Sequence, residues 1–238
     1  IFDGAVGTSR RTWVTVRDTM VLLLIAIGLT PAFKMKFWNI GAEGQILVGG
    51  AATAALMIYA GDSMPTPVLM ILMFVASLAA GMIWGIIPAI FKAYFNTNET
   101  LFTLMLNYVA MQIVTFCIVY WENPAGSNTV GIINSATRAG WLPALGGLTY
   151  GWNVLIVLAF TFGMYIYMKY SKQGYEVAVV GESQDTARYA RINVKRTIIR
   201  TMGISGGICG IAGFLLVSGA SHTISTSTAG GRGFTAII

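Results

Sequence analysis

An all-α fold, a polytopic bundle of membrane-crossing helices, is predicted by three features of the sequence. The chain of 238 residues is 55% hydrophobic and only 10% charged, where a soluble domain carries about 25% charged residues. Apolar runs of spanning length recur between short connectors, and no internal repeat or low-complexity linker divides them, so 1–238 reads as a single transmembrane domain. The basic residues behind the formal charge of +6 gather in particular connectors, as they do in multi-pass membrane proteins, and give no support to a nucleic-acid partner.

Crossing the hydrocarbon core as a helix takes about 20 apolar residues. The first run, 21–33, falls short of that length. The next, 40–60, opens on the polar stretch "NIGAEGQ" before turning apolar. Three uninterrupted runs follow at 68–90, 101–120 and 150–168. A sixth, 201–218, is rich in glycine, and part of a seventh begins after Gly233. The chain starts on Ile1 and stops inside this last run, so it is expected to be a fragment lacking N- and C-terminal parts.

Charge sets the orientation. The connector 169–200 carries seven basic residues against three acidic ones, which places it in the cytoplasm. Alternation then puts Lys34, Lys36 and Lys92 inside, and "GDSMPTP" and the long connector 121–151 outside. Tyr120, Trp121, Trp141, Tyr150 and Trp152 flank that outer connector as an aromatic belt would. Arg10, Arg11 and Arg17 run against the rule, partly offset by Asp3 and Asp18.

An ionisable residue within a membrane is costly and marks a functional hypothesis. Glu43 is the one such residue in the six runs, and it stands with Asn39 and Gln45 between Gly41 and Gly44. Short, glycine-interrupted segments point to a discontinuous helix along a transport path. Asn39, Glu43 and Gln45 therefore either line that path or bond to neighbouring helices and satisfy backbone groups freed by the break. In "NTNETLFTLMLNY", Asn98 can cap a helix with Glu99 in its first turn. Asn107 lies deeper, where a buried amide must find partners, as interhelical glue or as a substrate contact. Trp38 and Trp84 could stack on an aromatic solute or simply pack.

Gly203 with Gly207, and Gly206 with Gly210, have the small-xxx-small spacing of close helix packing in lipid. The cytoplasmic stretch "GYEVAVVGESQDTARYARINVKRT" shows Ser183 as a cap, Asp185 in a first turn and Arg188 with Arg191 at the far end, matching a helix dipole. Its run Val177–Val180 is more apolar than a free loop needs. This stretch either lies on lipid headgroups or docks into a cytoplasmic partner. Cys117 and Cys209 read as packing residues, and His222 as a solvated outer residue. No phosphate-binding loop, catalytic triad, metal motif or paired carboxylates occur, so any ATP use belongs to another chain. An ion-coupled carrier would carry several intramembrane acids or histidines. A non-transporting scaffold would need no polar-lined break.

"FWNIGAEGQILVGG", "NETLFTLMLNY" and "GYEVAVVGESQDTARYARINVKRTIIRTMGISGGICGIAGF", in this order, resemble permease subunits of bacterial ABC importers in the branched-chain amino acid and simple-sugar permease superfamily. The nucleoside and simple-sugar branch is the nearest. The resemblance implies a permease without catalytic residues, working with a separate ATPase subunit that holds ATP and Mg. It also implies a second, identical or homologous permease subunit, an extracytoplasmic solute-binding protein or lipoprotein, and residence in the bacterial cytoplasmic membrane among its lipids. It casts 174–193 as the short cytoplasmic coupling helix, with Glu182, Ser183, Asp185, Arg188 and Arg191 facing the ATPase. It casts Asn39, Glu43 and Gln45 as lining the translocation path, where Asn107 and Trp84 are further candidates. Related loops often carry Asn-Pro in place of Ser183-Gln184 and Gly in place of Arg191, which bears on how the coupling helix ends.

Overall fold

The computed structural model describes residues 7–146 and 148–238. Among them the chain forms helices α1 (Ser9–Lys34), α2 (Ala42–Ala60), α3 (Thr66–Phe95), α4 (Glu99–Trp121), α5 (Gly151–Tyr170), α6 (Lys172–Glu182), α7 (Gln184–Tyr189), α8 (Val194–Leu216) and α9 (Arg232–Thr235), with a π-turn, Val217–Ser221, extending α8. No β-strand occurs among the described residues; Leu145 and Leu148 make an isolated bridge.

Among the described residues five helices are long and apolar enough to cross a membrane: Ser9–Lys34, Thr66–Phe95, Glu99–Trp121, Gly151–Tyr170 and Val194–Ser221. Two expectations change. The first segment is not short: Thr8 caps a helix of 26 residues by accepting from Arg11 N, and its polar first half is accommodated because Arg17 pairs with Asp18 at 3.0 Å and lies over the Tyr150 ring. α2 is not one of the five, since Glu43 and Gln45 occupy its first turn.

α8 is the axis of the bundle. Within its apolar window 94% of residues are buried inside the protein, against 22–39% in the other four spans. Its glycines make this possible, because without side chains the neighbouring backbones come into contact. A Cβ on Gly206 would stand 3.0 Å from Gly85 Cα, and one on Gly210 would stand 3.0 Å from Gly81 Cα, both on α3. Further along the same face Gly213 meets Gly50 and Ile46 of α2. In lipid, where no hydrophobic force separates helix from solvent, such close approach supplies much of the association.

The cationic ends converge. Lys34 lies beside Gly181, Lys195 sits over the Tyr94 ring at 4.6 Å, and Lys92 pairs with Glu99 at 2.8 Å. This end is cytoplasmic by the positive-inside rule. There α6 buries Val177 and Val180 in a second apolar cluster with Ala32, Phe37, Ala187 and Met202, which explains the unexpected apolar run. At the other end His222 is not a solvated residue. It is half-buried, its ring stacked on Trp141 at 3.8 Å, and its carbonyl accepts from Ile133 N.

Candidate functional site

The site begins where α1 stops. Lys36 adopts φ 58°, and the bonds Lys36 N to Phe33 O and Phe37 N to Ala32 O close a Schellman turn. Residues 35–41 then climb back into the bundle without helical turns. They bring Asn39 level with Ser205, in the middle of α8, so α2 starts inside the protein.

A helix start leaves its first N–H groups without partners, and burying them unpaired is costly. Gly41, the N-cap of α2, has no side chain to offer. The cap comes instead from α4: Asn107 Oδ1 accepts from Gly44 N at 2.8 Å, while Asn107 Nδ2 donates to Ile40 O at 2.9 Å. Thr103 Oγ1 accepts from Ile40 N at 3.3 Å. Asn39 Oδ1 accepts from Gly41 N at 3.0 Å, and its amide exchanges bonds with Gln45 and donates to Ser205 Oγ, each at 3.4 Å.

Glu43 faces the other way. Its Oε1 accepts from Gly231 N at 2.7 Å and its Oε2 from Gly233 N at 2.8 Å. Gly230 and Gly231 take φ 59° and 74°, conformations that suit glycine, and these turn the backbone so that both N–H groups meet one carboxylate. Residues Arg232–Thr235 form the single turn α9, which packs against the start of α2. Arg232 Nη2 ties the same turn to Asp18 at 3.4 Å.

The structure brings Asn39, Gln45 and Asn107 together at the start of α2 and sets Glu43 on the other face of the same turn, all four between 0% and 3% exposed. Trp84 joins them: its Nε1 would lie 3.1 Å from a Cβ on Gly44, and it is buried without a partner. Trp38 stands apart, exposed, edge-on to Phe33. Thr103, Ser205, Gly231 and Gly233 complete the cluster and were not singled out in the sequence; nothing in their local motifs marks them. No group of three or more His, Cys, Asp or Glu able to hold a metal occurs among the described residues. The arrangement can exchange hydrogen bonds with a neutral polar solute and can fasten or release α9.

The cytoplasmic residues form a separate feature. Ser183 ends α6 and caps α7, its Oγ accepting from Thr186 N at 3.3 Å. Asp185 pairs with Arg188 at 3.2 Å. Arg191, at φ 58°, closes α7 with the same Schellman turn, Ile192 N bonding to Ala187 O. Glu182, Asp185, Arg188 and Arg191 are exposed. Tyr189, 91% exposed beside Arg188, belongs with them; an aromatic amid the charges of "QDTARYAR" was its only signal. α6 is anchored on α8 by Arg200 and Glu176, 2.8 Å apart.

Known proteins resemble this chain over nearly all its length. It is 30% identical over 215 residues to a guanosine ABC transporter permease protein of Bacillus subtilis, covering 90% of this chain and 61% of that protein. A nucleoside ABC transporter permease protein of Lactococcus lactis is 28% identical, covering 90% and 60% respectively. A glucose ABC transporter permease protein of Haloferax volcanii is 30% identical, covering 95% and 61%. The chain thus spans about 60% of the length of these curated relatives. No solved structure matches. A family model, the permease component of branched-chain amino acid transport systems, matches residues 14–238, a stretch that holds both the buried polar cluster and the cytoplasmic hairpin. The chain is a multi-pass protein of the cytoplasmic membrane and belongs to this permease family.

Proposed function

We propose that the complete protein is the permease subunit of an ATP-driven importer of nucleosides or simple sugars. The observation that carries this reading is the α6–Ser183–α7 hairpin. Val177 and Val180 bind it to the bundle, while Tyr189, Arg188 and Arg191 remain exposed at the cytoplasmic end. A rigid element packed on one side and free on the other can pass a partner's motion to the spans. The partner would be an ATPase subunit that binds ATP and Mg. A second permease subunit and an extracytoplasmic solute-binding protein or lipoprotein would complete the assembly. The printed names of the relatives support nucleoside or sugar as the solute class.

In this reading Asn39, Glu43, Gln45, Asn107 and Trp84 form the path in a closed state, in which Asn39 and Gln45 bond to each other while Asn107 and Glu43 bond to backbone groups. Opening would exchange these bonds for bonds to the solute, and the unpartnered Trp84 indole N–H offers a donor for a carbonyl or hydroxyl. The permease does no covalent chemistry; ATP shifts the balance between two accessibility states.

The test uses the full-length protein, tagged and extracted in mild detergent. An ATPase subunit is expected to copurify, and Arg188→Glu with Arg191→Glu to abolish the association while leaving the permease folded. Competition of labelled guanosine uptake by unlabelled nucleosides and by glucose then separates the two solute classes. Failure of any ATPase to copurify, under conditions that retain a comparable importer complex, would overturn the reading.

A further inference from the structure

At the cytoplasmic end a groove of about 440 Å³ runs between α3 and α8. Its upper walls are Met82 and Ile86 on one side and Ile199, Gly203 and Ile204 on the other. Its lower rim carries Lys195 and Arg196 with Tyr94 and Asn193, and Arg200 stands higher, beside Ile199. We propose that this groove binds one anionic phospholipid of the inner leaflet, its phosphate at Lys195 and Arg196 and an acyl chain along Ile86, Ile199 and Ile204.

Dimensions and charge both point to that occupant. Lys195 is the second residue of α8, and the nine-residue climb to Ile204 rises about 14 Å, close to half of a hydrocarbon core about 30 Å thick. The groove is therefore polar at headgroup depth and, apart from Arg200, which Glu176 holds at 2.8 Å, apolar from there to the bilayer centre. A soluble anion would have no use for the apolar half.

The rim is cationic in excess. Arg200 is held by Glu176 at 2.8 Å, and neighbouring Lys92 and Arg188 by Glu99 and Asp185. Lys195 and Arg196 have no carboxylate partner among the described residues, and both are exposed. Lys195 is held upright over the Tyr94 ring at 4.6 Å, at the wall shared with a second cleft of about 510 Å³ that opens toward α7. Arg200 Nε is buried without a hydrogen-bond acceptor. Basic clefts between spans on the cytoplasmic side suit anionic headgroups.

The experiment is native mass spectrometry of the full-length protein in nonionic detergent, titrated with dioleoyl phosphatidylglycerol or dioleoyl phosphatidylcholine. One phosphatidylglycerol per chain should bind in preference to phosphatidylcholine. Lys195→Gln with Arg196→Gln should weaken it about 30-fold, from the loss of two interfacial charges, with phosphatidylcholine binding unchanged. Both positions are exposed, so the variant should elute as a folded protein. Gly203→Leu, which fills the apolar wall, should also reduce phosphatidylglycerol binding, while millimolar inorganic phosphate should not compete. Equal binding of the two lipids, an unchanged double variant, or full competition by phosphate would each overturn the proposal. So would disulfide cross-linking of Ile199→Cys between two copies of the chain, which would show a second permease covering the groove.

Discussion

Replacing Asn107 with leucine, a side chain of similar size, removes the cap that α4 supplies to α2. Two backbone groups lose their partners inside the protein: Gly44 N–H, now bonded at 2.8 Å, and Ile40 C=O, at 2.9 Å. An unsatisfied buried group costs about 1–3 kcal/mol, and the two together about 2–6 kcal/mol. At about 2–4 °C of Tm per kcal/mol for a chain of this size, the midpoint should fall by about 4–24 °C. The assay is thermal unfolding in detergent, followed by maleimide-dye labelling of the fully buried Cys209 in a Cys117→Ser background. Asn107→Asp should fall between parent and leucine variant, since it keeps an acceptor for Gly44 and loses the donor to Ile40. Tyr108→Leu is the control: its neighbour in sequence is 64% exposed and should leave the midpoint unchanged. A leucine variant within about 1 °C of the parent would refute the assignment of Asn107 as the cap.

Four further outcomes follow from the structure. Gly210→Ala places a methyl 3.0 Å from Gly81 Cα and against Ser77 O, and should destabilise by about 1–3 kcal/mol as other overpacked interfaces do. Gly163→Ala on α5, with nothing within 4 Å, should be neutral or slightly stabilising in the same melt. Arg191→Gly relieves a non-glycine residue at φ 58° and should stabilise the end of α7 by about 0.5–1 kcal/mol, visible as slower amide exchange at Ile192. Burial against Trp141 pushes His222 below its usual 6.5, a backbone contact from Ser218 acting in the opposite direction. The folded state then binds that proton more weakly than the unfolded chain. This contribution to stability is complete above about pH 6.5 and is lost as pH falls below it. The drop in Tm between pH 7.5 and 5 should be smaller in His222→Phe, which keeps the stacking.

Much of the fold was legible because lipid imposes simple rules. The spans are marked by length and apolarity, the orientation by the lysines and arginines, and a closely packed face on α8, though not the helix that packs there, by the spacing of Gly206 and Gly210. Capping was equally local: Asn98 accepts from Thr100 N and Leu101 N, and Ser183 caps α7 as its neighbours predicted. The first helix looks short in the sequence because hydropathy counts Arg17 and Asp18 against a span, while the contacts that accommodate them, with Tyr150 and with Arg232, come from parts of the chain far away in sequence.

By itself, then, the sequence determined that this is a helical membrane protein with polar groups gathered at "NIGAEGQ" and a structured cytoplasmic hairpin. It also placed Asn39, Glu43, Gln45 and Asn107 under suspicion, since a buried amide or carboxylate needs partners. Only the tertiary structure decided who those partners are. Asn107 caps a helix 63 residues away in sequence, and Glu43 is held by backbone N–H groups 188 and 190 residues away. A backbone N–H is the same in every residue but proline and leaves no mark in the sequence, so the lock on α9 could emerge only once the chain had been folded.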